Sequence, residues 1–230
     1  MYIVYIIIIC LLVFFIWASA DVGSGVYLKS YCQKKTDERM VAITFDDGPE
    51  PGVTEQVLDV LNAYHVKATF FLIGYKAELY PHLVKRIINE GHVIGNHTYS
   101  HSIFNTISSA KKMSIELERT NQILYQITGL KIKMFRPPFG VTNPLIGAST
   151  RGRFLSIGWS IRSMDTIISR TREKVCSRIV GKLQNGAVIL LHDRCKDAHL
   201  LLDMLLQQLN NRKFTTTTVD ELFKISAYED

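Results

Sequence analysis

Val41-Ala42-Ile43-Thr44-Phe45-Asp46-Asp47-Gly48-Pro49 carries an apolar run into two adjacent acids and then a turn. The run reads as a buried strand, and the Gly-Pro pair ends it. Alternate side chains of a strand point to opposite faces, but the pleat loosens at its end, so both carboxylates can reach one cleft. Two acids this close repel each other unless a positive group lies beside them, and a metal ion is the obvious candidate. Taken alone, Thr44–Pro49 is equally well explained as a surface Asp-Asp turn.

Downstream, Gly91-His92-Val93-Ile94-Gly95-Asn96-His97-Thr98-Tyr99-Ser100-His101 contains a histidine pair at an i, i+4 spacing. On one helical turn, that spacing puts both imidazoles of His97 and His101 on one face, where they can share a cation. With Asp47 they make a two-histidine, one-carboxylate set with open positions for water and substrate. His92 reads instead as packed or solvated. Arg136-Pro137-Pro138-Phe139-Gly140 follows the strand-like Ile132–Phe135, and the prolines brace the arginine's backbone. Ala187–Leu191 is an apolar run followed by His192. Each of these is weak alone, but polar groups at the ends of separate apolar strands are the arrangement of strand-helix barrel enzymes.

In these motifs the chain resembles the polysaccharide deacetylases of carbohydrate esterase family 4, which share the nodulation-type chitooligosaccharide deacetylase homology domain. The resemblance runs from about Val41 to about Leu222 and rests on Thr44–Pro49, His97–His101, Arg136–Phe139 and Leu190-Leu191-His192 in the family's order. The family's remaining motif departs. Within Trp159–Thr166, Asp165 is kept, but Thr166 stands where the family commonly has a tryptophan that walls the acetyl pocket, and Arg162 adds a positive charge.

The resemblance implies a distorted, irregular (β/α) barrel and a metal-dependent N-deacetylase. It implies one divalent ion on Asp47, His97 and His101, zinc by default, with cobalt, nickel or iron able to use the same ligands. Asp46 is the implied general base for water, and Arg136 pairs with it and orients it. The backbone N–H of Phe139 is implied to stabilise the oxyanion, and His192, oriented by Asp165, to protonate the leaving amine. Leu190, Arg162 and Thr166 are the candidate pocket residues. Arg162 could either compete with His192 for Asp165 or bind an anionic substituent of the substrate.

The 230 residues suit one domain with a substantial core, and no repeat or low-complexity segment interrupts them. Residues 1–20 read as a signal peptide or membrane anchor, 21–40 as a lead-in, and 41–230 as the catalytic domain. Met1–Trp17 is nearly all apolar. Ala18-Ser19-Ala20 fits a cleavage site, whereas the missing positive n-region and the length of the run favour an uncleaved anchor. Either reading places the catalytic domain outside the cytoplasm: periplasmic, secreted or membrane-anchored. Strands are expected over Ala68–Gly74, Phe154–Trp159 and Phe214–Val219, and helices over Glu78–Asn89 and Lys111–Gly129. Cys176 and Cys195 are geometrically able to pair, with free thiols the favoured reading; Cys32 has no evident partner, and Cys10 lacks the context of a lipid anchor.

A net charge of +6 suits an acidic cell envelope or anionic glycan. Lys34-Lys35 and Lys111-Lys112 are short and scattered without an aromatic-basic stripe, so nucleic-acid binding is not expected. The expected partners are a glycan and, if the first segment is retained, a membrane; a monomer is expected. The leading reading is removal of N-acetyl groups from N-acetylglucosamine-type residues of peptidoglycan or an exported polysaccharide. Its rivals are a deacylase of a lipid-linked or modified amino sugar, a glycan-binding homologue with weakened catalysis, and a non-haem iron oxygenase. Asp46 argues against the last, because hydrolysis needs that acid and oxygen chemistry does not.

Overall fold

The computed structural model describes residues 2–229. Its strands are β1 (Ser30–Tyr31), β2 (Met40–Asp46), β3 (Thr69–Leu72), β4 (Val93–Asn96), β5 (Met134–Phe135), β6 (Leu155–Ile157), β7 (Ile161–Arg162), β8 (Ala187–His192) and β9 (Thr215–Thr217). All strand pairs are parallel. The order is β1-β6-β5-β4-β3-β2-β8-β7, with β9 paired to the first half of β2. The sheet curls into an incomplete barrel ringed by helices, as the expected distorted barrel requires. The segment before β2 joins it: β1 lies on β6, and Gln33 makes an isolated bridge to Ala187 at the base of β8.

Strand alternation decides what faces inward. Val41, Ile43 and Phe45 of β2 pack outward with Phe70, Leu72 and the helices. Ala42 packs inward with Phe71, Met134, Ile157 and Val188. Buried on both faces, β2 is an almost unbroken apolar run, as parallel strands tend to be. The same period sends Thr44 and Asp46 inward, toward the top of the barrel. Val219 and Leu222 of the helix Val219–Phe223 belong to the inner cluster, and the Val219 backbone N–H donates to Thr69 Oγ1 at 3.0 Å.

Two local expectations are corrected. Glu78–Asn89 is not one helix: Gly74–Leu79 and Pro81–Asn89 are separated at Tyr80, whose φ of −126° and ψ of 56° are non-helical. A residue before proline is driven from the helical region by the pyrrolidine ring. The histidine pair is not helical either, because β4 ends at Asn96 and residues 97–102 form a loop. Asn96 Oδ1 accepts from the Thr98 backbone at 2.8 Å, and Glu116 accepts from both Ser100 donors at 2.7 Å. Positive φ at Thr98 (65°) and His101 (49°) completes the turn. The helix Ala110–Thr128 matches its expected span and stops at Gly129, whose φ of 74° is the left-handed cap that glycine provides. Among the described residues all four cysteines are free.

Candidate active site

The carboxyl ends of β2, β4, β5 and β8 converge on a cleft of about 120 Å³, lined by Asp46, Asp47, His97, His101, Phe139 and His192. Leu190, Arg162, Thr166, Gly140, Trp159 and Arg194 complete its walls. The volume is below the usual range for pockets that enclose a drug-sized ligand. A larger cavity of about 320 Å³, near Glu173 and Cys176, contains none of these groups.

Asp46 and Asp47 separate as the end of β2 breaks its pleat. Asp46 keeps the inward direction and Asp47 takes a positive φ of 74° into the turn. Asp47 Oδ1 lies 3.5 Å from His97 Nε2 and 3.4 Å from His101 Nε2. That oxygen is buried with no hydrogen-bond partner, and a suitable ligand atom from each of the three residues lies within 4.8 Å of the others. His97 Nδ1 sits 2.8 Å from the Arg136 carbonyl, so it carries the proton and leaves the Nε2 lone pair facing Asp47. This donor set fits one divalent cation. Burial pushes the His101 imidazole down to about 4, with the charge of His97 adding to the effect, so His101 is neutral as a ligand must be.

Arg136 is fully buried, its side chain lying inside the barrel. Its guanidinium donates to Asp46 Oδ1 at 2.7 Å, Thr44 Oγ1 at 2.8 Å, the Ile157 carbonyl at 3.1 Å and the Gly158 carbonyl at 2.9 Å. Its Cζ also lies 4.1 Å from the Phe71 ring centroid, a cation–π contact. Burial disfavours the guanidinium charge, and the Asp46 carboxylate offsets it. The other oxygen of Asp46 remains 3.7 Å from His97 Nε2.

On the opposite wall, Asp165 grips His192 twice: Oδ1 lies 2.8 Å from Nδ1, and Oδ2 accepts the His192 backbone N–H at 2.8 Å. Burial would lower the His192 pKa, but the hydrogen bond and charge of Asp165 outweigh it and leave the pKa raised. Ser163 Oγ also donates to Asp165 Oδ1, at 2.8 Å. Among the described residues Arg162 makes no ion pair with Asp165. The idea that it competes with His192 therefore fails: Arg162 is exposed and lines the cleft instead.

Phe139 has a φ of 60°, and its ring lies 4.5 Å from that of His101. Asp47, Thr98, His101, Phe139 and Met164, in or beside the cleft, are among the eight described non-glycine residues with positive φ. Such conformations persist only where surrounding contacts impose them. Trp159, which lines the same cleft as Thr166, supplies an aromatic wall, and a Cβ at Gly140 would overlap its indole.

Sequence reasoning missed Arg194 and Asp193. Arg194 Nε donates to Asp47 Oδ2 at 2.6 Å, orienting the carboxylate so that Oδ1 faces the histidines. Asp193 is fully buried, its Oδ2 accepting from Thr54 Oγ1 at 2.6 Å, and burial pushes its pKa up to about 7. A Cβ on Gly48 would collide with this carboxylate, which explains the glycine of the turn. Both residues follow directly on His192, a position at the strand's end that is the signal that was available. His92 is buried and packed, its Nδ1 accepting from the Ala68 backbone at 3.2 Å.

A curled parallel sheet with polar side chains gathered at the carboxyl ends of its strands is the architecture of the barrel enzymes. The polysaccharide deacetylase family model matches residues 33–151, and the chain belongs to that family. It is 36% identical over 192 residues to a peptidoglycan-N-acetylglucosamine deacetylase of Bacillus cereus, covering 81% of this chain and 69% of that protein. It is 34% identical over 191 residues to the peptidoglycan-N-acetylmuramic acid deacetylase PdaA of Bacillus subtilis, covering 81% of this chain and 72% of that protein. A family 4 acetyl xylan esterase from Clostridium thermocellum, solved with a cobalt ion, superposes with a TM-score of 0.75 at 31% identity, covering 82% of this chain and 94% of that one.

Proposed function

We propose that the chain hydrolyses the N-acetyl amide of N-acetylglucosamine-type residues in peptidoglycan, using one divalent ion, zinc by default, held by Asp47, His97 and His101. The observation that carries this reading is the buried, unpartnered Asp47 Oδ1 facing two Nε2 atoms, with a second acid beside it and a histidine–carboxylate pair opposite. When bound, the ion supplies Lewis acidity to the amide carbonyl and to water. Asp46, positioned by Arg136, takes the proton of the attacking water as the new C–O bond forms. The Phe139 backbone N–H stabilises the charge developing on the carbonyl oxygen. His192, kept protonated and oriented by Asp165, gives its proton to nitrogen as the C–N bond breaks. The products are acetate and a free amine. The comparisons with a cobalt-bound esterase and with peptidoglycan deacetylases support the metal and the glycan.

The test is acetate release by the zinc-loaded full chain from N-acetylated chitooligosaccharides and from purified peptidoglycan. Release from peptidoglycan with matching new amines is expected; binding of both glycans with no acetate would leave a glycan-binding protein instead. Arg162 and Arg194 in the cleft favour a carboxylate-bearing sugar as a second reading. Arg162→Ala should then raise KM about tenfold on muramic-acid-containing substrates and little on neutral ones. An equal KM on both types would remove Arg162 from substrate binding.

A further inference from the structure

The proposed reaction uses neither the N-terminal helix Tyr2–Ala20 nor the short helix Ile103–Ser108, yet one pair of residues ties both to the cleft rim. Thr142 donates its backbone N–H to the Ser19 carbonyl at 2.9 Å and its Oγ1 to the Ala18 carbonyl at 3.0 Å. Its neighbour Asn143 donates its side-chain amide to the Thr106 carbonyl at 2.8 Å. Ala18 is fully buried, in a helix whose preceding residues are exposed, and Thr142 is only 1% exposed. Release of the helix by cleavage after Ala20 would cost Thr142 both of these hydrogen bonds and the packing of Ala18 against it. The small residue Ala18 therefore has a packing explanation independent of processing.

The helix is 19 residues long, and an 18-residue window of it has a mean hydropathy of 2.9. At 1.5 Å per residue it reaches about 28 Å, the depth of a bilayer's hydrocarbon core. On the short helix, Ile103, Phe104 and Ile107 are 42%, 75% and 58% exposed, and their spacing gathers them on one side. Exposed Lys111 and Lys112 follow at once. An apolar helix face flanked by ammonium groups has the composition of an element lying in an anionic lipid interface.

We propose that the N-terminal helix stays on the mature chain as a membrane anchor. With it, Ile103, Phe104 and Ile107 rest in the headgroup region of the same anionic bilayer, flanked by Lys111 and Lys112. A second copy of the chain suits the patch less well, since a two-fold contact would bring both lysine pairs together. The short helix follows His101 and Thr142 follows Gly140, so the cleft opens beside the membrane surface.

The test reconstitutes the full chain in phosphatidylcholine vesicles, with and without phosphatidylglycerol, in a Trp17→Phe background whose remaining Trp159 signal is measured and subtracted. Phe104→Trp is the probe, and Asn210→Trp, at the exposed end of the helix Ala198–Asn211 leading into β9, is the control. Lipids brominated near the headgroup should quench the probe at least twofold more than the control, and more strongly with phosphatidylglycerol present. Intact-mass analysis of membrane-extracted chain should show residues 1–20 retained. A mature terminus at Asp21, equal quenching of probe and control, or a probe shielded only at concentrations where the chain dimerises would overturn the proposal. Quenching indifferent to phosphatidylglycerol would overturn the part given to the lysines.

Discussion

Asp47 divides its two oxygens between jobs: Oδ2 is taken by Arg194, and Oδ1 is left bare between two imidazoles. Asp46, one residue earlier, is held by Arg136 and kept out of that donor set. Asp46→Asn should therefore retain metal by elemental analysis while losing about 10²–10⁴ in kcat; loss of both metal and rate would make Asp46 a ligand. On the other wall, Asp165 raises the pKa of His192 and so keeps it protonated to higher pH. Asp165→Asn removes the charge that raises it, so the histidine loses its proton earlier on the way up. The alkaline limb of kcat/KM should move to lower pH, by about one unit or more. An unmoved limb with reduced kcat would assign Asp165 to geometry alone.

At the scale of elements, the barrel is cross-tied by a charge. Arg136, from the end of β5, reaches the β2 side chains and the Ile157 and Gly158 carbonyls at the end of β6. Lysine has one point charge where the guanidinium spreads its donors over a fork. Arg136→Lys keeps the charge but leaves buried acceptors without a donor, and should cost about 1–3 kcal/mol in a denaturant melt. A loss below about 1 kcal/mol would mean that the ammonium reaches the same acceptors. The sequence made the strand ends legible, because an apolar run closed by Asp46-Asp47-Gly48-Pro49 has few other meanings. The end of the Ala110–Thr128 helix was legible through Gly129. The break at Tyr80 was announced by Pro81, but the apolar periodicity across it hid the signal. The His97–His101 loop was not legible, since its turn depends on Asn96 and on Glu116 from a later helix. Arg194 on Asp47 and Trp159 against Gly140 are meetings of separate segments that no local pattern carries.

For the whole molecule, an ion held by residues from β2 and from the loop after β4 would join parts of the barrel and bind only the folded chain. Saturating metal at 100 times Kd should then add about 2.7 kcal/mol of stability. Dialysis against a chelator should lower Tm by a few degrees, zinc should restore it, and His97→Ala should melt at one temperature with or without zinc. A chelator-insensitive wild type would remove metal from the account of this fold. The sheet's terminal strands, β1 and β7, have a further consequence. Each is two residues long, and the segment just after β1 reaches across to Ala187. An exposed edge is a template on which a foreign strand can add, and short or covered edges are how proteins suppress such growth. The interior strands of this barrel are apolar enough to seed aggregation, but the borders the folded chain offers a neighbour are two residues long at β1 and β7 and three at β9. Residues 30–33 guard one of those borders, and they do so beside the chemistry: the Tyr31 carbonyl accepts the Gly158 backbone N–H at 3.0 Å, and the Gly158 carbonyl accepts from Arg136.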